Sequence, residues 1–415
     1  MRPDRVLSSL LVCLAANLLS AEEPVWQLYG TLLPFIENAK TTGATRPGPS
    51  PDSGSASQVP AEAYTGVNLP TRTRLISGTS NLGFKGRFNL KDGLQLLWQV
   101  ESAISPDGDA PNSWTSRNSG IGIKGAFGTI TLGIWDTPYK YPVLSVGALR
   151  GLNPFDNALT ASPGFNVSGA TTQTGRIAGK ADAAFSRRQG NSIQYWSPEI
   201  SGFSARIAYS FNEGRTTETA TLPSISPSLL SMLLTYQNHH FGVNLAFEQH
   251  SDYFGMAQLG GSPGATLTNK SSKDTGKELV AWMKYGGTKI SVVLEQLTYD
   301  TDDTVATAID HYQRNAWYMH AQQRMGDHQV WASYGSAGAG SCDRVDRAPT
   351  TTNGLGGRQW AIGYSYGLSK QADLYASAYG MENNPSAQYT AFPPLAAVAP
   401  GASTRGFGIG ILYTF

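Results

Sequence analysis

The sequence predicts an all-β protein, a 16-stranded antiparallel transmembrane β-barrel. Three observations predict it. Strand-like segments alternate bulky apolar residues with small or polar ones at a period of two. The connections between them alternate short and long. Past the N-terminus, no apolar run approaches the roughly 18 residues that a membrane-spanning helix needs. In lipid, the outer face of a barrel must be oily, whereas its inner face need only tolerate water. The composition agrees: charged residues make up 15% of the 415, with 46 glycines and 19 tyrosines. The 31 basic and 30 acidic side chains leave a net charge of +1, so there is no basic footprint for a nucleic acid.

The first element reads as a targeting segment. Arg2 and Arg5 precede a largely apolar run from Val6 to Leu19, and Ala21 supplies a small residue for cleavage. Residues 1–21 are therefore expected to be a signal peptide and residues 22–415 the barrel. Cys13 lies within the apolar run and lacks the small preceding residue of a lipoprotein site. That leaves Cys342 alone in a Gly-rich loop, so no disulfide framework forms.

Strands follow in order from Val25. In one, Leu279, Ala281, Met283 and Tyr285 oppose Glu278, Val280, Trp282 and Lys284. In the next, Ile290, Val292 and Leu294 oppose Lys289, Ser291, Val293 and Glu295. The last sets Phe407, Ile409, Ile411, Tyr413 and Phe415 against Gly406, Gly408, Gly410, Leu412 and Thr414. Short connections are expected at 91–93, 128–129, 199–202, 238–239, 286–287, 326–327 and 368–370. Most contain a residue common in turns. Long ones are expected at 38–72, 105–116, 138–186, 213–226, 251–276, 300–312, 339–357 and 382–403. Seven short and eight long connections join sixteen strands. A soluble β-array would also alternate, but it has no need for two systematic classes of turn.

No chemistry-bearing motif survives inspection. Gly120-Ile-Gly-Ile-Lys-Gly125 spells a dinucleotide fingerprint, yet it lies inside a strand with no helix N-terminus after it. No cofactor is expected. The six histidines are scattered without helical spacing, and Asp300, Asp302 and Asp303 lack the glycine and terminal glutamate of a calcium-binding loop. No metal is expected. No nucleophile elbow is present, so no enzymatic activity is predicted. The longest loop, between Asp136 and Arg188, carries six basic and three acidic residues counted with its ends. Loops of this length are usually functional. It can fold inward to narrow a wide barrel, or lie outside as a lobe.

Several stretches, in order along most of the chain, resemble a known family. They are Val25-Trp-Gln-Leu-Tyr-Gly30, Asn81-Leu-Gly-Phe-Lys-Gly86, Gly122-Ile-Lys-Gly-Ala-Phe-Gly-Thr-Ile-Thr-Leu-Gly133, Asn191-Ser-Ile-Gln-Tyr-Trp-Ser-Pro-Glu199 and Gly363-Tyr-Ser-Tyr-Gly-Leu-Ser-Lys-Gln-Ala-Asp-Leu-Tyr375. They resemble the general trimeric porins of Gram-negative outer membranes, in particular the β-proteobacterial type. The resemblance implies a homotrimer in outer-membrane lipid and lipopolysaccharide, with a water-filled pore in each protomer for ions and small hydrophilic solutes. It also implies that the third long loop folds into the lumen as an eyelet.

By position, Arg117 and Arg188 match wall arginines of the family, with Arg187 assisting. Glu101 matches a lumen carboxylate, and Asp156 is the candidate loop carboxylate. Asn81 stands where the family usually has arginine, so Arg74 or Arg87 must compensate if the arginine ladder is complete. A charged ring at a narrow point sets which ions pass. The basic excess around the loop predicts a weak preference for anions. The alternative is a substrate-selective channel on the same barrel, with Tyr139, Tyr141 and Phe155 as a binding track.

Overall fold

The computed structural model describes residues 25–45, 68–108, 114–147, 158–160, 162–165, 167, 183–211, 214–218, 224–256, 259, 271–390 and 398–415. The expected signal peptide, Phe155 and Asp156 lie outside them. The strands are β1 (Val25–Leu32), β2 (Phe35–Thr42), β3 (Arg72–Ile76), β4 (Asn81–Asn89), β5 (Gln95–Ala103), β6 (Ser119–Gly125) and β7 (Gly128–Asp136). Next come β8 (Arg188–Trp196), β9 (Phe203–Ser210), β10 (Ser228–Gln237), β11 (Phe241–Ser251), β12 (Ser272–Tyr285) and β13 (Thr288–Thr301). The last are β14 (Ile309–Met325), β15 (His328–Ala337), β16 (Ser341–Arg344), β17 (Gly357–Gly367), β18 (Ala372–Asn383) and β19 (Ser403–Thr414).

These nineteen segments form the predicted sixteen spans, because three spans are interrupted. Pro34, which has no N–H to donate, lies between β1 and β2. Gly78 and Gly340, with φ of 57° and 81°, lie in the breaks between β3 and β4 and between β15 and β16. Every pairing is antiparallel, and the sheet closes on itself. β1 pairs with β4 along its length and meets β19 at Thr31–Thr414, while β2 lies between β19 and β3. Gly30 and Phe415 exchange two backbone hydrogen bonds of 3.1 Å. Closure leaves no sheet edge to expose unpaired backbone to hydrocarbon.

The two faces separate as the period requires. Outward positions such as Ile121, Leu132, Leu245, Leu294, Ile362 and Ile409 are exposed. The intervening Thr131, Asn244, Glu295, Ala361 and the glycines of β19 face the lumen.

Strand limits differ from the prediction in several places. β2 runs on to Thr42, β12 starts at Ser272, β13 ends at Thr301 and β14 starts at Ile309. At those ends the outward residues are polar, such as Lys273, Thr275, Thr298, His311 and Gln313. At the start of β12 both faces are polar. At the facing ends of β13 and β14 the inward Leu297, Tyr299 and Tyr312 are apolar and the outward residues polar, so the expected oily outer face does not mark these ends. The turn expected at 128–129 lies instead at residues 126–127, with Gly128 opening β7. Cys342, expected in a loop, sits in β16 at 8% exposure and donates its thiol to Thr350 Oγ1 at 3.1 Å.

Candidate pore and its inward loop

The loop between β7 and β8 enters the barrel. Tyr139 N donates to Ser231 Oγ on β10 at 3.0 Å, and the Tyr139 hydroxyl donates to Glu295 Oε1 on β13 at 2.7 Å. Burial, with Glu295 beside it, pushes the Tyr139 phenol well above its ordinary pKa, so it remains a donor. Further along, Val146 packs with Val280, Val293 and Tyr318 of the wall. Arg314 on β14 donates through Nη2 to Leu159 O at 2.9 Å and Ser162 O at 2.6 Å, and its Nη1 meets Glu295 Oε2 at 2.9 Å. Phe165 packs edge-on to Tyr312, and Phe185 stacks on His250 at 4.4 Å between ring centroids. The loop thus coats the inner wall from β10 to β15.

This docking explains an oddity of composition. Val280, Val293 and Leu297 share the lumen parity with Glu278 and Glu295, yet they are apolar. Water does not reach them, because the loop covers them. An apolar residue on the wet parity of a barrel strand was the available signal that a segment docks there. The same cover buries Glu248, Asp274, Glu278 and Glu295, so their carboxylates do not line open space.

The wall from β1 to β9 is chemically different. Register places Lys85 and Arg87 of β4, Lys124 of β6 and Arg206 of β9 on its inner face. Among the described residues, none of these four ion-pairs with a carboxylate. Lys85 Nζ lies 4.7 Å from the Tyr29 ring centroid, and the Arg206 guanidinium lies 3.5 Å from that of Tyr141. The inner-face carboxylates Glu37, Glu101 and Asp136 on this side are engaged. Glu37 takes Arg74 Nε at 2.6 Å and the Tyr379 hydroxyl at 2.6 Å.

The sequence-expected residues fall into three situations. Arg117 pairs with Glu101, whose other oxygen accepts from the Tyr29 hydroxyl at 2.8 Å. Arg188 Nε lies 3.2 Å from Asp136 Oδ1, which also takes Lys140 Nζ at 2.8 Å. Asn118 braces this second pair, donating to Asp136 Oδ2 at 2.8 Å and accepting from Arg188 Nε at 3.1 Å. Arg187, expected to assist at the opening, is instead 1% exposed with its guanidinium 5.2 Å from the Tyr253 ring. It belongs to the loop–wall contact, on the loop just before β8 opens at Arg188. Tyr139, expected in a binding track, is a buried anchor, whereas Tyr141 is exposed. Asp136, Lys85 and Lys124 were not singled out from sequence, since lone charges on strands carry no motif.

A closed antiparallel barrel, oily outside, with a loop folded into a charged lumen, defines a transmembrane channel of the porin class. A profile described as Gram-negative porin matches residues 8–387, and the chain belongs to that family. It is an outer-membrane channel for passive diffusion, crossing the bacterial outer membrane many times. The chain is 24% identical over 385 residues to the major outer membrane protein P.IA of Neisseria meningitidis serogroup A, covering 86% of this chain and 89% of that protein. It is 30% identical over 141 residues to protein P.IB of Neisseria gonorrhoeae, covering 34% and 35% of the two chains. Its fold is similar to that of an anion-selective porin from Comamonas acidovorans, with a TM-score of 0.68, 19% identity, and coverage of 95% and 100%. A Salmonella typhi OmpF complex gives a TM-score of 0.55 at 14% identity, with coverage of 94% and 97%.

Proposed function

We propose that this channel passes ions and small hydrophilic solutes with a weak preference for anions. One observation carries the reading: the uncovered wall presents Lys85, Arg87 and Lys124 without carboxylate partners among the described residues, while the opposing acids lie beneath the loop. Field lines from cations without carboxylate partners, focused by the low-dielectric walls of a narrow aqueous passage, raise the local anion concentration. The Comamonas neighbour, described as anion-selective, agrees in sign. Arg74 is committed to Glu37, and Arg87 lies six residues along β4 from Asn81 towards the short-turn end. Arg87 therefore adds a separate cation to the wall, and the arginine ladder is shorter at Asn81.

In this reading Arg117 and Arg188, with Glu101 and Asp136, form the charged tier of the eyelet, and Asp156 is its loop carboxylate. The protein works as a homotrimer in lipid and lipopolysaccharide, after removal of residues 1–21. It is a channel and not an enzyme. Reversal potentials across a planar bilayer in a KCl gradient test the selectivity. A potential of the sign set by chloride is expected, and clear cation selectivity would overturn the reading.

A further inference from the structure

Towards the short-turn end from the Arg117–Glu101 pair, the lumen wall holds a cavity of about 470 Å³. Its walls are unusual for an aqueous passage. Trp135 of β7 and Trp196 of β8 both lie on the inner face, with ring centroids 5.4 Å apart and planes at 61°. Trp196 Nε1 donates to Gln194 Oε1 at 3.1 Å, which holds that indole in place. The Arg206 guanidinium lies 4.8 Å from the Trp196 ring. Across the cavity stand Lys85 and Arg87 of β4.

Between them lie Leu97 and Gln99 of β5 and then Gly120 and Gly122 of β6, which present no side chain. A Cβ at Gly120 would lie 2.3 Å from Leu132 O, and one at Gly122 would lie 2.5 Å from Ile130 O. These are the glycines of the false dinucleotide fingerprint. Their role is close approach of two strands, and the consequence is an open floor beside two indoles.

We propose that this cavity is a binding subsite for monocyclic aromatic carboxylates. The ring lies against Trp135 and Trp196, and the carboxylate meets Arg87 and Lys85. A small inorganic anion would use the cations and leave the indoles wet. A neutral aromatic would use the indoles and leave two unpaired cations. Only a solute with both a π-face and a negative charge satisfies the whole lining. The volume lies within the range of small-molecule pockets. The inference rests on the barrel being an open channel, and it names the solute class that this lumen retains.

The test is current block in single KCl-conducting channels, with benzoate, acetate and benzyl alcohol as probes. Benzoate is expected to block at a concentration at least about fivefold below acetate, the scale set by one aromatic contact. Benzyl alcohol is expected to block least. Trp135→Leu should bring benzoate towards acetate, and Arg87→Gln should weaken both acids together. If benzoate and acetate block the wild-type channel equally, the subsite is refuted while the channel reading stands. A folded protein that conducts no KCl would sink the channel reading itself, and the subsite with it.

Discussion

Tyr139 and Glu295 are separated by 156 positions in sequence and joined by a 2.7 Å hydrogen bond across the inside of the barrel. That bond fastens the inward loop to the wall where β13 carries a buried carboxylate. Removing one partner of a buried hydrogen bond leaves the other unsatisfied, at a cost of about 1–3 kcal/mol. Tyr139→Phe keeps the ring in its place against Phe185 and deletes only the hydroxyl. The expected result is an intact barrel whose loop detaches more often, seen as more frequent partial closures in single-channel records. Noise identical to wild type would show that the hydroxyl does not hold the loop.

Arg314 is the second clamp, and a stronger one. It is buried, pairs with Glu295 and holds two loop carbonyls. Glu278 lies directly opposite Glu295 across β12 and β13. Arg314→Met therefore leaves Glu295 buried beside another acid and without its cation, at a cost of about 3–5 kcal/mol. Urea unfolding in detergent should show the loss. Adding Glu295→Gln should recover part of it, and a double variant as unstable as the single one would contradict the argument.

Arg188 faces Asp136 at 3.2 Å. Arg188→Ala removes a permanent positive charge and leaves the carboxylate Lys140 as its ion-pair partner among the described residues. The ratio of anion to cation permeability should fall, or the conductance should rise. Screening shortens the reach of such a charge to about 10 Å at 0.1 M salt, so the change should shrink in 1 M KCl. Reversal potentials and conductances unchanged at both salt concentrations would place Arg188 away from the ion path.

Gly363 lies under the inward Trp331. An added Cβ would stand 2.1 Å from the Trp331 ring. Overpacking of this kind costs about 1–3 kcal/mol. Gly363→Ala should lower the temperature at which the folded band is lost on a heat-modifiability gel. Combining it with Trp331→Leu should restore part of the loss. No recovery in the double variant would mean that the strain lies elsewhere.

Much of the barrel was legible because its signals are local. In β13, Ile290, Val292 and Leu294 alternate with Ser291, Val293 and Glu295, and each residue's face depends only on the parity of its position. Turn chemistry at Gly286 and Gly326, both at positive φ, marks where two strands reverse. Where both faces turn polar, as at Lys273 and Thr275 on β12, parity has nothing to act on, and the strand limits were missed.

The charged tier was legible only in part. Arg117 and Arg188 came from resemblance of flanking residues, and their partners Glu101 and Asp136 became pairs only once β5, β6, β7 and β8 were aligned side by side. Arg187 could not be sorted from Arg188 without knowing which of the two turned towards Tyr253.

Strand periodicity and the rhythm of the turns thus sufficed for a wet-lined cylinder, since both are written within a few neighbouring residues. Which half of its interior stays open was settled by the folded chain alone. The loop covers Glu248, Asp274, Glu278 and Glu295 and leaves Lys85, Arg87 and Lys124 uncovered. That choice depends on contacts such as Tyr139 with Glu295 and Arg314 with Leu159, whose partners are remote in sequence and meet only when the cylinder has closed around them.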